Sequence, residues 1–269
     1  MKQALNHYAL FGNPVGHSLS PLMLNAAFGA MGIRARYEAH CVENLELSIR
    51  MIREKPLAGV SVTLPVKGAV MAFLDEVDED ARAIGAVNTI TNEGGRLRGS
   101  NTDWTGLTAA MQEHFSMVGK TVAVLGAGGA ARAAVYGILR EGGIPIVFNR
   151  SRDRAESLAR WFGCGTEPLA HLGKVEAEVL INATPVGMRP LTDETPVDRL
   201  HLSRFRWVVE TIYNPLETRL LREAKTAGCG VITGLSMFVR QGAEQIRIWT
   251  GLEPPVELMS RVVKTTLEK

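Results

Sequence analysis

The sequence predicts an α/β protein made of two α/β domains. Short β-like runs alternate with helix-like windows for almost the whole length, the pattern that gives parallel strands with helices on the sheet faces. The alternation breaks once, over residues 87–100, where the chain reads as a hairpin. A second alternating series starts at Thr121 on a strand that runs straight into a glycine-rich turn. At 269 residues the chain can form one large domain or two modest ones, each with a real core.

Taken in order, residues 8–12 read as a strand, 21–31 as a helix, 37–42 as a strand, 44–54 as a helix, 59–63 as a strand and 66–74 as a helix. Ser20 before Pro21 suits a helix N-cap with Pro at the first helical position. In the hairpin, Val-Asn-Thr-Ile-Thr leads through Asn-Glu-Gly-Gly to Arg-Leu-Arg-Gly. A helix is expected over 104–115, with Thr102 or Asp103 as its cap. The second series runs to about residue 231, and a helical stretch over 236–268 closes the chain. The expected division is therefore 1–102 and 103–235, with the packing of the last helices left open. The polar stretch 189–198 reads as a mobile surface loop.

Composition narrows the function. A net charge of +2 with no basic block argues against nucleic acid as the main partner. Apolar residues at 46% and charged residues at 22% suit a soluble globular protein. Cys41, Cys164 and Cys229 lie far apart with no CxxC, so neither a disulfide framework nor a zinc ribbon is expected, and a reducing, cytoplasmic compartment is. The N-terminus lacks the apolar stretch of a signal peptide. The apolar region near 121–139 is interrupted by Arg132 and does not read as a membrane span. The six histidines show no HExxH spacing, so no metal is expected.

The glycine-rich turn is the most specific local signal. Thr-Val-Ala-Val-Leu at 121–125 leads into Gly126, Ala127, Gly128, Gly129, Ala130 and Ala131, a G-x-G-x-x-A pattern between strand and helix. Gly126 allows the tight turn, Gly128 the approach of a pyrophosphate, and Ala131 close helix packing. The N–H groups and dipole of the next helix would then hold the phosphates. In an NAD site an acid about 20 residues further on would hold the ribose hydroxyls. Here the next strand ends in Asn149, Arg150, Ser151, Arg152, Asp153 and Arg154. A 2′-phosphate repels a carboxylate and is held by guanidinium forks, so NADP is the expected cofactor, with Arg150 and Arg154 on its phosphate. The alternative is that these arginines merely solvate a helix start, where cations are electrostatically disfavoured.

Several other residues could carry chemistry, each with a plainer reading beside it. Ser20 reads first as a cap, whereas Ser18 has no such local role, and paired hydroxyls at a helix N-terminus could hold a carboxylate. Thr63 ends a strand and Lys67 lies just beyond, where ligands of open α/β sheets bind, although a lone lysine there is more often solvated. Asp103 is a reasonable cap, and Asn88 has no local structural explanation. Asn182-Ala183-Thr184-Pro185 follows another strand and would line the nucleotide crevice.

In this order, GHSLSP at 16–21, VTLPVK at 62–67, GAVNT at 85–89, NTDWTG at 101–106, GAGGAAR at 126–132, NRSRDR at 149–154, NATPVGM at 182–188 and the Gly234-to-Gln241 segment resemble the shikimate dehydrogenase family. The resemblance implies an N-terminal substrate domain, a Rossmann-type NADP-binding domain, last helices that fold back on the substrate domain, and a cleft between the domains. It implies that Ser18 and Ser20, helped by Tyr213, bind the substrate carboxylate. It gives Thr63, Asn88 and Gln241 the ring hydroxyls, and makes Lys67 and Asp103 the catalytic pair. Thr211 and Gly234 would lie near the nicotinamide, and the resemblance places a further cofactor contact at Glu79, in addition to Thr184 of the crevice-lining segment already read. The expected activity is the reversible NADPH-dependent reduction of 3-dehydroshikimate to shikimate in aromatic amino acid biosynthesis. The expected partner is a small molecule, with no nucleic acid or membrane, and the protein is expected as a monomer or homodimer. The rivals are a quinate/shikimate dehydrogenase with broader substrate or NAD use, a catalytically silent NADPH-binding relative, and an unrelated Rossmann-type reductase sharing only the nucleotide half. One departure stands out: the segment before Tyr213 often begins with Asp in the family, and here it begins with Glu210.

Overall fold

Strands β1 (Asn6–Gly12), β2 (Ala35–Cys41) and β3 (Leu57–Val62), joined through helices α1 (Ser20–Ala30) and α2 (Leu45–Glu54), build one half of the first sheet. β1 lies in the middle and pairs in parallel with both neighbours. The computed structural model describes residues 5–55 and 57–268. Residues 1–4, which begin the N-terminal segment read above, lie outside the described residues, as do Pro56 and Lys269. α2 starts where its cap dictates: the Asn44 side chain accepts the Leu47 N–H at 3.0 Å, satisfying one of the donors left over at a helix start. α1 departs from expectation. Ser20 is its first helical residue, not its cap, and Pro21 follows in the first turn. The Ser18 hydroxyl accepts the Ser20 N–H at 3.2 Å, while Leu19 stands at the cap position and no side chain caps the helix.

The helix expected over 66–74 is also replaced. A short 3-10 helix, Ala69–Phe73, stands there, and Leu74 is already extended. The reason lies downstream. Asp75 donates its N–H to the Leu97 carbonyl and accepts the Leu97 N–H on its side chain, and the short strand β4 (Glu76–Val77) then pairs with the sheet. Sheet hydrogen bonds pull the chain straight before an α-helix can complete its turns. Helix α3 (Glu79–Ile84) follows, capped by Asp78. The hairpin then forms from β5 (Thr89–Glu93) and β6 (Arg96–Ser100), closed by the Gly94-Gly95 turn. The sheet order is β2-β1-β3-β5-β6-β4. Its core gathers Phe11, Ile52, Val60, Ile90 and Leu97.

α4 (Asp103–Gln112) opens the second half and ends short of the expected residue 115. Asp103 is its first helical residue, so Thr102, not Asp103, stands before the helix. β7 (Thr121–Leu125), α5 (Gly129–Arg140), β8 (Ile144–Asn149), α6 (Arg152–Phe162), β9 (Gly165–Pro168), β10 (Val179–Asn182), β11 (Trp207–Glu210), α7 (Arg219–Thr226) and β12 (Gly230–Ile232) continue it. All pairings are parallel, in the order β12-β11-β10-β7-β8-β9. Counted within this half, the order is the doubly wound 3-2-1-4-5-6, whose direction reverses between β7 and β10. Both faces are apolar. Val122 and Val124 pack with Ala131, Val135 and Ile138 of α5, while Ala123 and Leu125 pack with Leu220, Leu221 and Ala224 of α7. This explains why these strands read as continuous apolar runs without alternation. Residues 189–198 carry no helix or strand, but Val197 is buried in the same core and Arg219 donates to the Asp193 carbonyl.

α8 (Gly234–Thr250) and α9 (Val256–Leu267) end the chain. The described residues form two compact units, one running to Thr102 and including Gln241–Thr266, the other with Asp103–Arg240 as its body. The boundary at residue 240 thus falls inside α8. No described helix is long and apolar enough to cross a membrane.

Candidate active site

In the first unit Thr63 and Lys67 follow the C-terminal end of β3, and Asn88 immediately precedes β5. Ser18 and Ser20 hydroxyls lie 3.1 Å apart at the start of α1. Thr63 follows β3, its N–H donating to the Phe11 carbonyl at 2.8 Å. Lys67, half-buried, lies in the next turn, where its carbonyl accepts the Val87 N–H at 2.8 Å. Asn88 is buried, and its side chain is fully directional. The amide oxygen accepts the Thr102 N–H at 2.8 Å and the Thr89 hydroxyl at 2.7 Å, and the amide nitrogen donates to the Thr102 hydroxyl at 3.0 Å. That hydroxyl donates in turn to the main-chain carbonyl of Gln241 at 3.0 Å, 139 residues further along the sequence, which ties the Asn88 side chain to the α8 backbone. Glu79 stands exposed at the first turn of α3. Asp103 belongs to the second unit and is 5% exposed at the first turn of α4.

In the second unit the glycine-rich turn lies at the C-terminal end of β7, beside the point where strand order reverses. Gly126 has φ 115°, a region that side chains rarely enter, and an added Cβ would lie 2.9 Å from the Ala183 carbonyl oxygen. Ala127 leads to Gly128, which precedes α5 in extended conformation without a side-chain cap. A Cβ at Gly128 would meet open space, and Gly129 and Ala130 open the helix. The helix start therefore keeps unused backbone donors and its positive dipole end, the arrangement that binds anions. At the end of β8, the Asn149 amide donates to the Ser151 carbonyl at 3.0 Å and tightens the turn. Arg150, Ser151 and Arg154 are exposed. Ser151 precedes α6 without capping it. Arg152 is committed to Glu156 at 2.7 Å, whereas neither Arg150 nor Arg154 makes an ion pair among the described residues.

The ends of β10 and β11 are tied by a buried carboxylate. Glu210 is fully buried. One carboxylate oxygen accepts the Thr211 and Ile212 N–H groups at 2.9 and 3.1 Å, and the other accepts the Asn182 amide and the Thr218 hydroxyl at 3.1 and 3.0 Å. Asn182 holds the Thr184 N–H and hydroxyl on its amide oxygen, and its carbonyl accepts the Thr211 hydroxyl. Thr184 and Thr211 are thus set by one network. Gly234 is required beside it, since a Cβ there would lie 2.2 Å from the Ile212 carbonyl oxygen. Tyr213 stacks on Phe238 with ring centroids 3.9 Å apart.

Burial pushes the Glu210 carboxyl up to about 7, against the four donors that hold it down. A carboxyl whose folded value is raised binds its proton more tightly folded than unfolded. Its contribution to stability is therefore present below the ordinary value of 4.5 and is lost as pH rises through about 7. Melting temperature should fall across that window by an amount equivalent to roughly 3 kcal/mol. The Glu210→Gln variant should be less stable throughout, because its amide nitrogen meets donors, but should show a flatter profile. Equal slopes for the two proteins would assign the titration elsewhere.

Gln245 escaped the sequence reading. It is 2% exposed on α8 and bonded to Ser61, Asn88 and Thr89. The available signal was its position four residues after Gln241, which puts both amides on one face of the helix. Among the described residues no cluster of three or more metal-ligating side chains occurs.

Two family models match the chain: the shikimate dehydrogenase substrate binding domain over residues 10–90, and the shikimate 5′-dehydrogenase C-terminal domain over residues 234–264. Among curated relatives, a shikimate dehydrogenase (NADP(+)) of Pyrococcus abyssi is 46% identical over 97% of this chain and 98% of its own. Another, of Symbiobacterium thermophilum, is 44% identical over 96% and 94%. Among solved structures, shikimate 5-dehydrogenase of Thermus thermophilus in complex with NADP(H) and shikimate is 39% identical. It superposes with a TM-score of 0.90, covering 98% of this chain and 100% of that one. A quinate dehydrogenase of Corynebacterium glutamicum in complex with NAD is 29% identical with a TM-score of 0.89, covering 97% and 99%. With near-complete coverage at these identities, and with the motif residues standing at the strand ends just described, the chain belongs to the shikimate dehydrogenase family.

Proposed function

We propose that the protein catalyses the reversible, NADPH-dependent reduction of 3-dehydroshikimate to shikimate, within aromatic amino acid biosynthesis. The observation that carries this reading is the pairing of two arrangements in one chain: a directional hydroxyl and amide set around Asn88, Thr102 and Gln241, and a doubly wound sheet whose Gly126 turn leaves a helix start open. Relatives matching nearly end to end bear the name of this activity. A cytoplasmic location is part of the proposal, supported by three cysteines that are all unpaired.

The residues present fit a bound NADP. Gly126, Ala127, Gly128, Gly129 and Ala130 would hold the pyrophosphate. Asn149, Arg150, Ser151 and Arg154 would hold the adenosine end, and Thr184, Thr211 and Gly234 the nicotinamide end. Glu79 enters this set on the family resemblance alone. When bound, the dinucleotide supplies the hydride. The rest falls to side chains of the chain. The hydroxyls of Ser18 and Ser20, with Tyr213, hold the substrate carboxylate, and Thr63, Asn88 and Gln241 hold the ring hydroxyls. Lys67 stabilises the developing alkoxide and gives it a proton, and Asp103 is the other member of the catalytic pair.

Removing the Ser18 hydroxyl removes a hydrogen bond to a charged group, worth about 1.5–3 kcal/mol. The Ser18→Ala variant should therefore raise the KM for shikimate by roughly 10–100-fold, with kcat little changed; an unmoved KM would free Ser18 of this role. The activity itself is tested by following nicotinamide reduction with shikimate or quinate and with NADP+ or NAD+. Turnover confined to shikimate with NADP+ is expected. Comparable rates with quinate or NAD+ would move the chain towards the activity of its quinate-named neighbour, and no turnover with either acid would overturn the reading.

A further inference from the structure

We infer that Gln245 is a positioning residue for the Asn88 amide and for the α8 backbone that carries Gln241, and thereby for substrate binding; this rests on the activity proposed above. The argument is one of hydrogen-bond direction. The Gln245 amide nitrogen donates to the Asn88 carbonyl at 3.1 Å and to the Thr89 hydroxyl at 3.0 Å. A carbonyl can only accept, so the amide cannot turn over. Its oxygen then faces Ser61, whose hydroxyl donates to it at 2.7 Å and accepts from the Tyr37 hydroxyl at 2.7 Å.

From Thr89 the same directionality passes to Asn88. The Thr89 hydroxyl accepts from Gln245 and so spends its own proton on the Asn88 amide oxygen. That oxygen also accepts the Thr102 N–H, which leaves the Asn88 amide nitrogen turned to the Thr102 hydroxyl. The Thr102 hydroxyl, holding a donor already, gives its proton to the main-chain carbonyl of Gln241. Each hydroxyl in this relay donates once, and each amide has one permitted orientation. Tyr37, Ser61, Thr89, Thr102 and Gln245 are all buried, so no exposed member can exchange its partner for solvent. Gln241 lies one turn before Gln245 on α8, so the bonds to Gln245 also set the rotation of the helix that carries Gln241.

The test uses Gln245→Met, which keeps length and flexibility but cannot donate, and Ser61→Ala, which keeps Gln245 and removes only the hydroxyl that holds its oxygen. Steady-state kinetics with shikimate and NADP+ are measured alongside melting temperature. Small misplacements of binding groups have large kinetic effects. Gln245→Met should raise the KM for shikimate about five- to twentyfold, leave the KM for NADP+ within about twofold, and lower kcat less than it raises KM. Ser61→Ala should move the shikimate KM in the same direction by about two- to fourfold. A lowered melting temperature with unmoved shikimate KM in the folded variants would show Gln245 to be structural only and overturn the inference. If Gln245→Met does not fold, Ser61→Ala decides by the same criterion. Wild-type turnover, measured first, separates the two failures. Its absence would overturn the shikimate reading, whereas normal wild-type turnover with unmoved KM in the variants would overturn the role of Gln245 alone.

Discussion

Replacing Lys67 with alanine is expected to lower kcat by about 10²–10⁴-fold, the range set by losing a positioned proton donor and oxyanion partner. The KM for shikimate should stay within a few-fold, because the carboxylate and ring hydroxyls are assigned to other side chains. The fold should tolerate the change. Lys67 follows the turn after β3, where the backbone bond from the Val87 N–H to the Lys67 carbonyl, 2.8 Å long, survives any side-chain substitution. So does the bond from the Val66 N–H to the Thr63 carbonyl. Steady-state kinetics paired with a melting curve distinguish the outcomes. Collapse of kcat at an unchanged melting temperature supports proton donation by Lys67, whereas near-normal kcat would remove it from the chemistry. A large loss of stability would mean that the lysine holds its turn together.

The second large effect concerns cofactor choice. Of the three arginines at the β8–α6 turn, Arg152 is held by Glu156, while Arg150 and Arg154 are exposed and make no ion pair among the described residues. The bond from the Asn149 amide to the Ser151 carbonyl holds the turn that carries Arg150. If each of the two contributes about 1.5–3 kcal/mol to a 2′-phosphate, the Arg150→Ala/Arg154→Ala double variant should lose roughly 10²–10⁴ of its preference for NADP+ over NAD+. The loss should lie in the KM for NADP+, with kcat at saturation close to normal. Arg152→Ala is the control and should leave the ratio nearly unchanged. A double variant that keeps its preference would put the phosphate contacts on other residues.

Legibility in the sequence follows the range of the interactions involved. The β7 strand, the Gly126 turn and the following helix form within one continuous segment, 121–140, and the apolar run and glycine spacing show them directly. The hairpin over 89–100 is equally local, because two adjacent glycines close it. The helix expected over 66–74 fails for a non-local reason: Asp75 is drawn to Leu97 on another strand. Ser20 reads as a cap but is none, because the helix begins one residue earlier than Pro21 suggests, taking Ser20 itself into its first turn.

The α/β class, the nucleotide turn, the arginines beside it and the family are all written in short segments or in their order along the chain, and no coordinates are needed to read them. The strand orders of the two sheets, the four donors around Glu210, and the relay that joins Tyr37, Ser61 and Gln245 to Asn88 exist only once the chain has folded. Separation along the chain divides the two groups. Periodicity tells which face of an element is apolar, but not which element will lie against it, and the hydrogen bond from Ser61 to Gln245 joins residues 184 positions apart. A buried Gln or Glu looks misplaced in a sequence until the donors and acceptors that satisfy it have been brought to it by folding.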